Sequence, residues 1–220
     1  MSIDTAIARI GQILTAEQQL ANPASALVST GASAAAQAPT GSGSFANALA
    51  NAQALPGSAP VSASGYVNPL ANASVRAERI DQGVDYAGSG TLGAIGPGVV
   101  TQVVPSGSGW EGGGYVEYKL TAGPDAGRYV YYAEGVTPTV SVGQTLSAGQ
   151  PVATIIPGAP HGIEIGWGSG VGESSYAQQS GGGYSEGALT AAGKAFSDLI
   201  ASLGGPAGLT EGRQVTGTFS

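Results

Sequence analysis

Cysteine is absent from this 220-residue chain, and histidine occurs once, at His161. Without cysteine there are no disulfides and no thiolate metal ligands, a state that suits a cytosolic protein and an exported one equally. Charge is also scarce, at 10% of residues. Lys and Arg total 7 against 14 Asp and Glu and nowhere cluster, and the net charge is −7. That balance excludes nucleic acid as a partner and disfavours anionic membrane surfaces. No apolar run approaches the ~20 residues that span a bilayer. The opening "MSIDTAIARIGQILTAEQQL" carries Asp4 and Glu17 and lacks both a basic start and an apolar stretch. It is not expected to act as a secretory signal, so export would need another route. What the chain has instead is 38 glycines and 13 prolines, a loop-rich composition with room for one ordinary domain and extensions.

Ile3, Ile7, Ile10 and Leu14, with Ile13 alongside, recur at helical spacing and predict an amphipathic helix within residues 1–21, capped by Ser2 or Asp4 and stopped by "NPAS". From Gln18 to Val75 there is no charged residue, and Ala, Ser, Gly, Pro and Asn dominate. Residues 22–75 therefore read as a low-complexity linker with too little bulky apolar surface to offset ordering entropy. Within it "SFANALANA" suggests a short helix near 44–52, with Ser44 as cap.

Residues 76–170 differ. "PGVVTQVV", "GYVEYKL", "GRYVYYAE", "QPVATII" and "GIEIGW" are short β-rich runs separated by Gly, Pro and Asp turns. Val116, Tyr118 and Leu120 alternate with Glu117 and Lys119, the pattern of a half-buried strand. Closely spaced strands without long helices between them predict a mainly β domain, an antiparallel sandwich or barrel. A glycine-rich link, 171–187, leads to an amphipathic helix over 188–204 whose stripe of Leu189, Ala192, Phe196, Leu199, Ile200 and Leu203 is best read as a packing face; 205–220 is a tail.

The stretch "DQGVDYAGSGTLGAIGPGVV", then "YAE", "VSVGQTLSAGQPVATI" and "PHGIEI", resembles the lysostaphin-type (LytM-like) zinc endopeptidases that cut peptide cross-links in bacterial peptidoglycan. The likeness covers roughly residues 79 to 168, and its most specific part is the "VGQ…AGQ" pair. It implies a β core in which zinc is held by two histidines and an aspartate, with two further histidines as base and transition-state stabiliser. Carried onto this sequence, the first ligand position is Asp81 and the second is Asp85. The Y-A-H position is Glu134, and Pro160 and Gly162 fall at the two positions of the family's H-x-H. One ligand of the implied set is preserved.

Strand alternation in "HGIEIGW" puts Ile163, Ile165 and Trp167 on one face and Gly162, Glu164 and Gly166 on the other, which is the ligand face that the resemblance implies. His161 reaches that face only through a bulge or an early strand start. The candidate site residues are thus Asp81, Asp85 and His161 for a metal, and Glu134 and Glu164 for catalysis. An all-oxygen set suits calcium, magnesium or manganese rather than zinc. A carboxylate pair acting alone suits glycosidic rather than peptide cleavage. The alternative for Asp81 and Asp85 is local turn chemistry.

Three readings follow. The first is a degenerate lysostaphin-like module, without cofactor, that binds peptidoglycan or forms part of an exported assembly contacted through its terminal helices. The N-terminal segment loosely resembles flagellar rod and basal-body proteins, which are exported without a signal peptide, and this implies an extracytoplasmic or envelope-associated location. The second is an active cell-wall metallohydrolase that uses a divalent metal at an altered site. The third is a biotinyl- or lipoyl-like carrier, since "VSVGQTLSAGQPVATI" resembles half of that fold; its nearest lysine, Lys119, is expected in a strand.

Overall fold

A computed structural model of the protein describes residues 64–180, 182 and 184–220. The helices expected within 1–21 and near 44–52 lie outside these residues. Among the described residues the chain is mainly β, with nine antiparallel strands in one curled sheet and two short α-helices. The strands are β1 (Asn72–Ile80), β2 (Val84–Gly93), β3 (Gly98–Val104), β4 (Gly114–Leu120), β5 (Tyr129–Glu134), β6 (Val136–Pro138), β7 (Thr145–Leu146), β8 (Pro151–Ile155) and β9 (Ile163–Gly168). The helices are α1 (Tyr176–Gln179) and α2 (Ala191–Ser202). No helix among the described residues is long and apolar enough to cross a membrane.

The sheet runs β6-β8-β2-β9-β5-β4-β3-β7, and β1 pairs with the remaining edge of β2. β2 is the pivot. Its start pairs with β9 (Asp85 opposite Glu164) and its end pairs with β8 (Leu92 opposite Ala153), one after the other. Alternation then sorts the side chains. Val84 and Tyr86, Val116 and Tyr118, Val130 and Tyr132, and Ile163 and Ile165 enter the main core. The alternate residues Asp85, Tyr115, Glu117, Tyr131, Ala133 and Glu164 point to the other face, where Tyr115, Tyr131 and Ala133 form a second small cluster. Register places Asp85, Glu164, Ala133 and Tyr115 directly opposite one another across four strands. That row is the floor of the site.

The folded part begins before Arg76. Strand β1 starts at Asn72, and Tyr66, Val67 and Leu70 are buried ahead of it. These bulky residues end the otherwise small-residue stretch and supply the apolar area that the rest of it lacks. They are tied down by the Val67 N–H donating to Ile95 O (2.9 Å) and the Gly93 N–H donating to Pro69 O (2.9 Å). The facing strand β2 is glycine-rich where β1 crosses it closely. Gly88 has φ 156° and Gly90 φ 122°, and a Cβ on Gly90 would lie 2.6 Å from the Ala73 Cα.

Helix α2 is capped by Thr190, whose Oγ1 accepts from the Gly193 N–H (3.0 Å). Its apolar stripe, including Phe196 and Ile200, is buried against the sheet, and the Phe196 ring meets Trp167 edge-on at 5.2 Å. Each of these two side chains contributes roughly 1.5–3 kcal/mol by leaving water. That stripe is a packing face of the domain itself, so any assembly contact through α2 falls to its exposed face. The tail also folds back. Leu209 pairs with β1 through its N–H to Glu78 O (2.7 Å), and Ile80 N–H donates to Leu209 O (3.1 Å).

Candidate functional site

The β1–β2 hairpin turns at Asp81-Gln82-Gly83. Asp81 N–H donates to Gly83 O (3.1 Å), and the Asp81 carboxylate accepts from the Gly83 N–H (3.4 Å). Thr190 anchors helix α2 on the same turn, its N–H and Oγ1 both donating to Asp81 O (3.0 and 2.7 Å). Gly193 follows from that approach, since a Cβ there would collide with the Asp81 carbonyl. The tight turn brings Asp85 back beside Asp81, and β9 sets Glu164 opposite Asp85. Oxygens of Asp81, Asp85 and Glu164 lie within 4.8 Å of one another, and all three side chains are buried.

Three carboxyls so close in a dry site need compensation. Arg79 supplies it. Arg79 near the end of β1 and Asp81 in the turn after it point to the same side, and the hairpin folds Asp85 back to them. Its guanidinium lies 2.7 Å from Asp85 Oδ2 through Nε and 3.2 Å from Asp81 Oδ2 through Nη2, with Glu186 at 3.6 Å outside. One cation cannot balance all of them. Burial, together with the Asp81 charge and against the pull of Arg79, pushes the Asp85 carboxyl up to about 7. Burial likewise raises Asp81. Burial, followed by the Asp81 charge, raises Glu164 well above the usual carboxyl range.

Glu164 is held from two further sides. The Tyr131 hydroxyl donates to its Oε1, and the Gln82 amide reaches Oε2 at 3.5 Å. Gln82 in turn accepts from Ser175 Oγ (2.8 Å), the residue that caps α1. Gly83 is required beneath this arrangement: a Cβ there would lie 2.5 Å from the Tyr131 hydroxyl and 2.6 Å from Glu164 Oε1. Tyr131 stacks on Tyr115 (centroids 5.9 Å, 9° between planes), and Trp110 leans on Tyr131 at 5.5 Å.

Above this floor lies a cavity of about 700 Å³, with Arg76, Asp85, Trp110, Glu134, His161 and Glu186 among its walls. Glu134 ends β5 with φ 69°, in the left-handed region that costs a non-glycine residue about 1–3 kcal/mol. His161 is exposed in the turn before β9, on the wall of the cavity but outside the three-carboxyl group. The structure therefore gathers Asp81, Asp85 and Glu164 tightly and sets Glu134 and His161 around them. Lys119 lies within strand β4, over the Tyr129 ring.

No protein-family model matches the chain, and no curated protein matches it either.

The zinc implied by the lysostaphin resemblance does not fit these residues. Zinc in catalytic sites takes imidazoles alongside carboxylate. Here the gathered donors are three carboxyl groups, and a guanidinium already bonds two of them. Arg79, Gln82 and Tyr131 were not among the candidate site residues. The signal for Arg79 was present in the i, i+2 spacing of Arg79 and Asp81 before a glycine turn. Gln82 and Tyr131 depend on cross-strand register, which one sequence does not display.

Proposed function

We propose that this chain is a non-catalytic module on a lysostaphin-like scaffold that binds peptidoglycan at the cell envelope as part of an exported assembly. The observation that carries the reading is Arg79, whose side-chain cation sits between Asp81 and Asp85, the two positions where the resemblance implies metal ligands. A permanently charged guanidinium neutralises the carboxylates but offers no open coordination position and activates no water. What survives is a large groove with an aromatic wall at Trp110 and polar groups at Glu134, His161 and Arg76, the makeup of a recognition surface.

Sedimentation with purified insoluble peptidoglycan tests the reading. The full chain is expected in the pellet, and Trp110→Ala is expected to shift it toward the supernatant by about tenfold in affinity, the scale of one stacking contact in a groove. Wild-type protein that stays wholly in the supernatant overturns wall binding. Pelleting unaffected by Trp110→Ala removes the groove as the binding surface.

A further inference from the structure

The outermost strands of a sheet carry unpaired N–H and C=O groups, and a long outer strand is a template for an added one. β6 and β7, at the two ends of the sheet path, are only 3 and 2 residues long. β1 has 9 residues, and no further strand lies beyond it among the described residues. Its outer edge is therefore the one long enough to hold a peptide.

Three observations fix which groups of β1 face outward. The Ala73 N–H donates back to Leu70 O (3.0 Å), so it is not spent on β2. A Cβ on Gly90 would lie 2.7 Å from Asn72 O, and one on Gly88 would collide with Ser74 O, so both carbonyls turn toward β2. The N–H and C=O of one residue share a side, and the side alternates along the strand. The N–H and C=O of Val75 and Ala77, together with Ala73 O, thus point away from β2. None of them has a hydrogen-bond partner among the described residues.

The same edge already takes a segment one step further on. Past the bulge between Ala77 and Ile80, Leu209 pairs in parallel with β1, donating to Glu78 O (2.7 Å) and accepting from the Ile80 N–H (3.1 Å). Residues 73–77 continue that edge. Ala73, Val75 and Ala77 are half-buried at the margin of the main core, and Asn72, Ser74 and Arg76 between them are exposed. A strand added here extends the core with its apolar residues and sets its polar ones beside Ser74 and Arg76.

We propose that the open edge of β1 at residues 73–77 is the docking site for an extended segment of a partner protein, with alternating apolar and polar residues, added as a further strand. A second copy of this chain fits less well. Residues 73–77 span about 17 Å at ~3.4 Å per residue, and a two-fold pairing over that length falls short of the ~1,200 Å² of a stable interface. A segment presented by an assembly needs less area, because tethering raises its local concentration. The site goes beyond the wall-binding reading, which concerns the groove.

The probe is the acetylated, amidated pentapeptide Val-Glu-Val-Ser-Val, added to the ¹⁵N-labelled full chain with its backbone amides assigned. The Val75 and Ala77 N–H signals are expected to move downfield and saturate with a Kd on the order of 1 mM. N-methylation of alternate peptide residues removes the donors along one of its edges. One phase of methylation is expected to abolish binding and the other to leave it unchanged, since a strand turns one edge to β1. Val75→Pro deletes an outward N–H that the fold does not use, and is expected to weaken the peptide about tenfold, the scale of one hydrogen bond. Where that variant does not fold, the two methylated peptides decide on the wild type. No movement at Val75 and Ala77 up to about 20 mM peptide, a range that reaches below millimolar affinity, overturns the proposal. So does equal binding or equal loss of the two methylated peptides, or unchanged affinity in folded Val75→Pro. Signals of Val75 and Ala77 that move on dilution of the protein alone would assign the edge to a second copy and refute it. All of these outcomes leave the wall-binding reading to its own sedimentation test.

Discussion

Replacing Arg79 with methionine removes the one cation set between Asp81 and Asp85 while keeping the apolar stem. With Arg79 present the Asp85 carboxyl already titrates near 7, because burial outweighs the guanidinium. Losing an opposite charge at this distance raises a carboxyl by roughly one to two further pH units, the lower part of the usual range because the Arg79 side chain is 46% exposed and partly screened. Each unit is worth about 1.4 kcal/mol, and the loss is felt only where the wild-type group is ionised. At pH 8, one unit above the wild-type value, the variant should therefore be less stable by about 1.2 kcal/mol, a fall in Tm of about 2–5 °C for a domain of this size. At pH 5 Asp85 is protonated in both proteins and the loss should shrink to about 0.5 kcal/mol. Thermal unfolding followed by circular dichroism at the two pH values measures both. The further change Asp85→Asn should restore most of the loss at pH 8. A Tm fall that is the same at pH 5 and pH 8, or none at pH 8, refutes Arg79 as the counter-ion of the buried acids.

The wild-type protein should itself lose stability as pH rises. A carboxyl raised from 3.8 to about 7 on folding stabilises fully below its unfolded value, and that contribution is lost as pH rises through 7. Asp85 alone carries up to about 4 kcal/mol of this dependence, and Asp81 and Glu164 shift in the same direction. A Tm that climbs between pH 5 and pH 7 contradicts it. Gly83→Ala places a Cβ against the Tyr131 hydroxyl, Glu164 and the Ile165 carbonyl. It should cost about 1–3 kcal/mol by overpacking, read from the urea midpoint, and an unchanged midpoint would mean that Tyr131 and Glu164 give way freely. Phe196→Ala empties the seat of α2 under Trp167 and should cost about 3–5 kcal/mol. A loss below about 1 kcal/mol would mean that the helix is dispensable to the domain.

Much of the β core was legible because its signal is local. "GYVEYKL" alternates in period two, and Val116, Tyr118 and Leu120 enter the core as that pattern requires. β2 was hidden by its glycines: "GSG" reads as a loop, yet Gly88 and Gly90 are what let β1 cross closely. β1 was hidden by its small side chains, Ala73, Val75 and Ala77, whose partial burial depends on the sheet behind them. At the site, alternation grouped Glu164 with Gly162 and Gly166, the lysostaphin resemblance implied that this was the ligand face, and the register sets Glu164 opposite Asp85. The Glu164–Tyr131 contact and the Gln82–Ser175 link join residues 33 and 93 positions apart, and only the folded register brings them together.

The most direct test of an arginine-filled site measures divalent metal in the purified full-length protein by elemental analysis, with release of muropeptides from cell walls followed in parallel with and without chelator. Arg79 as the resident cation predicts metal far below one ion per chain and no release in either condition. One equivalent of bound metal together with chelator-sensitive release would contradict it.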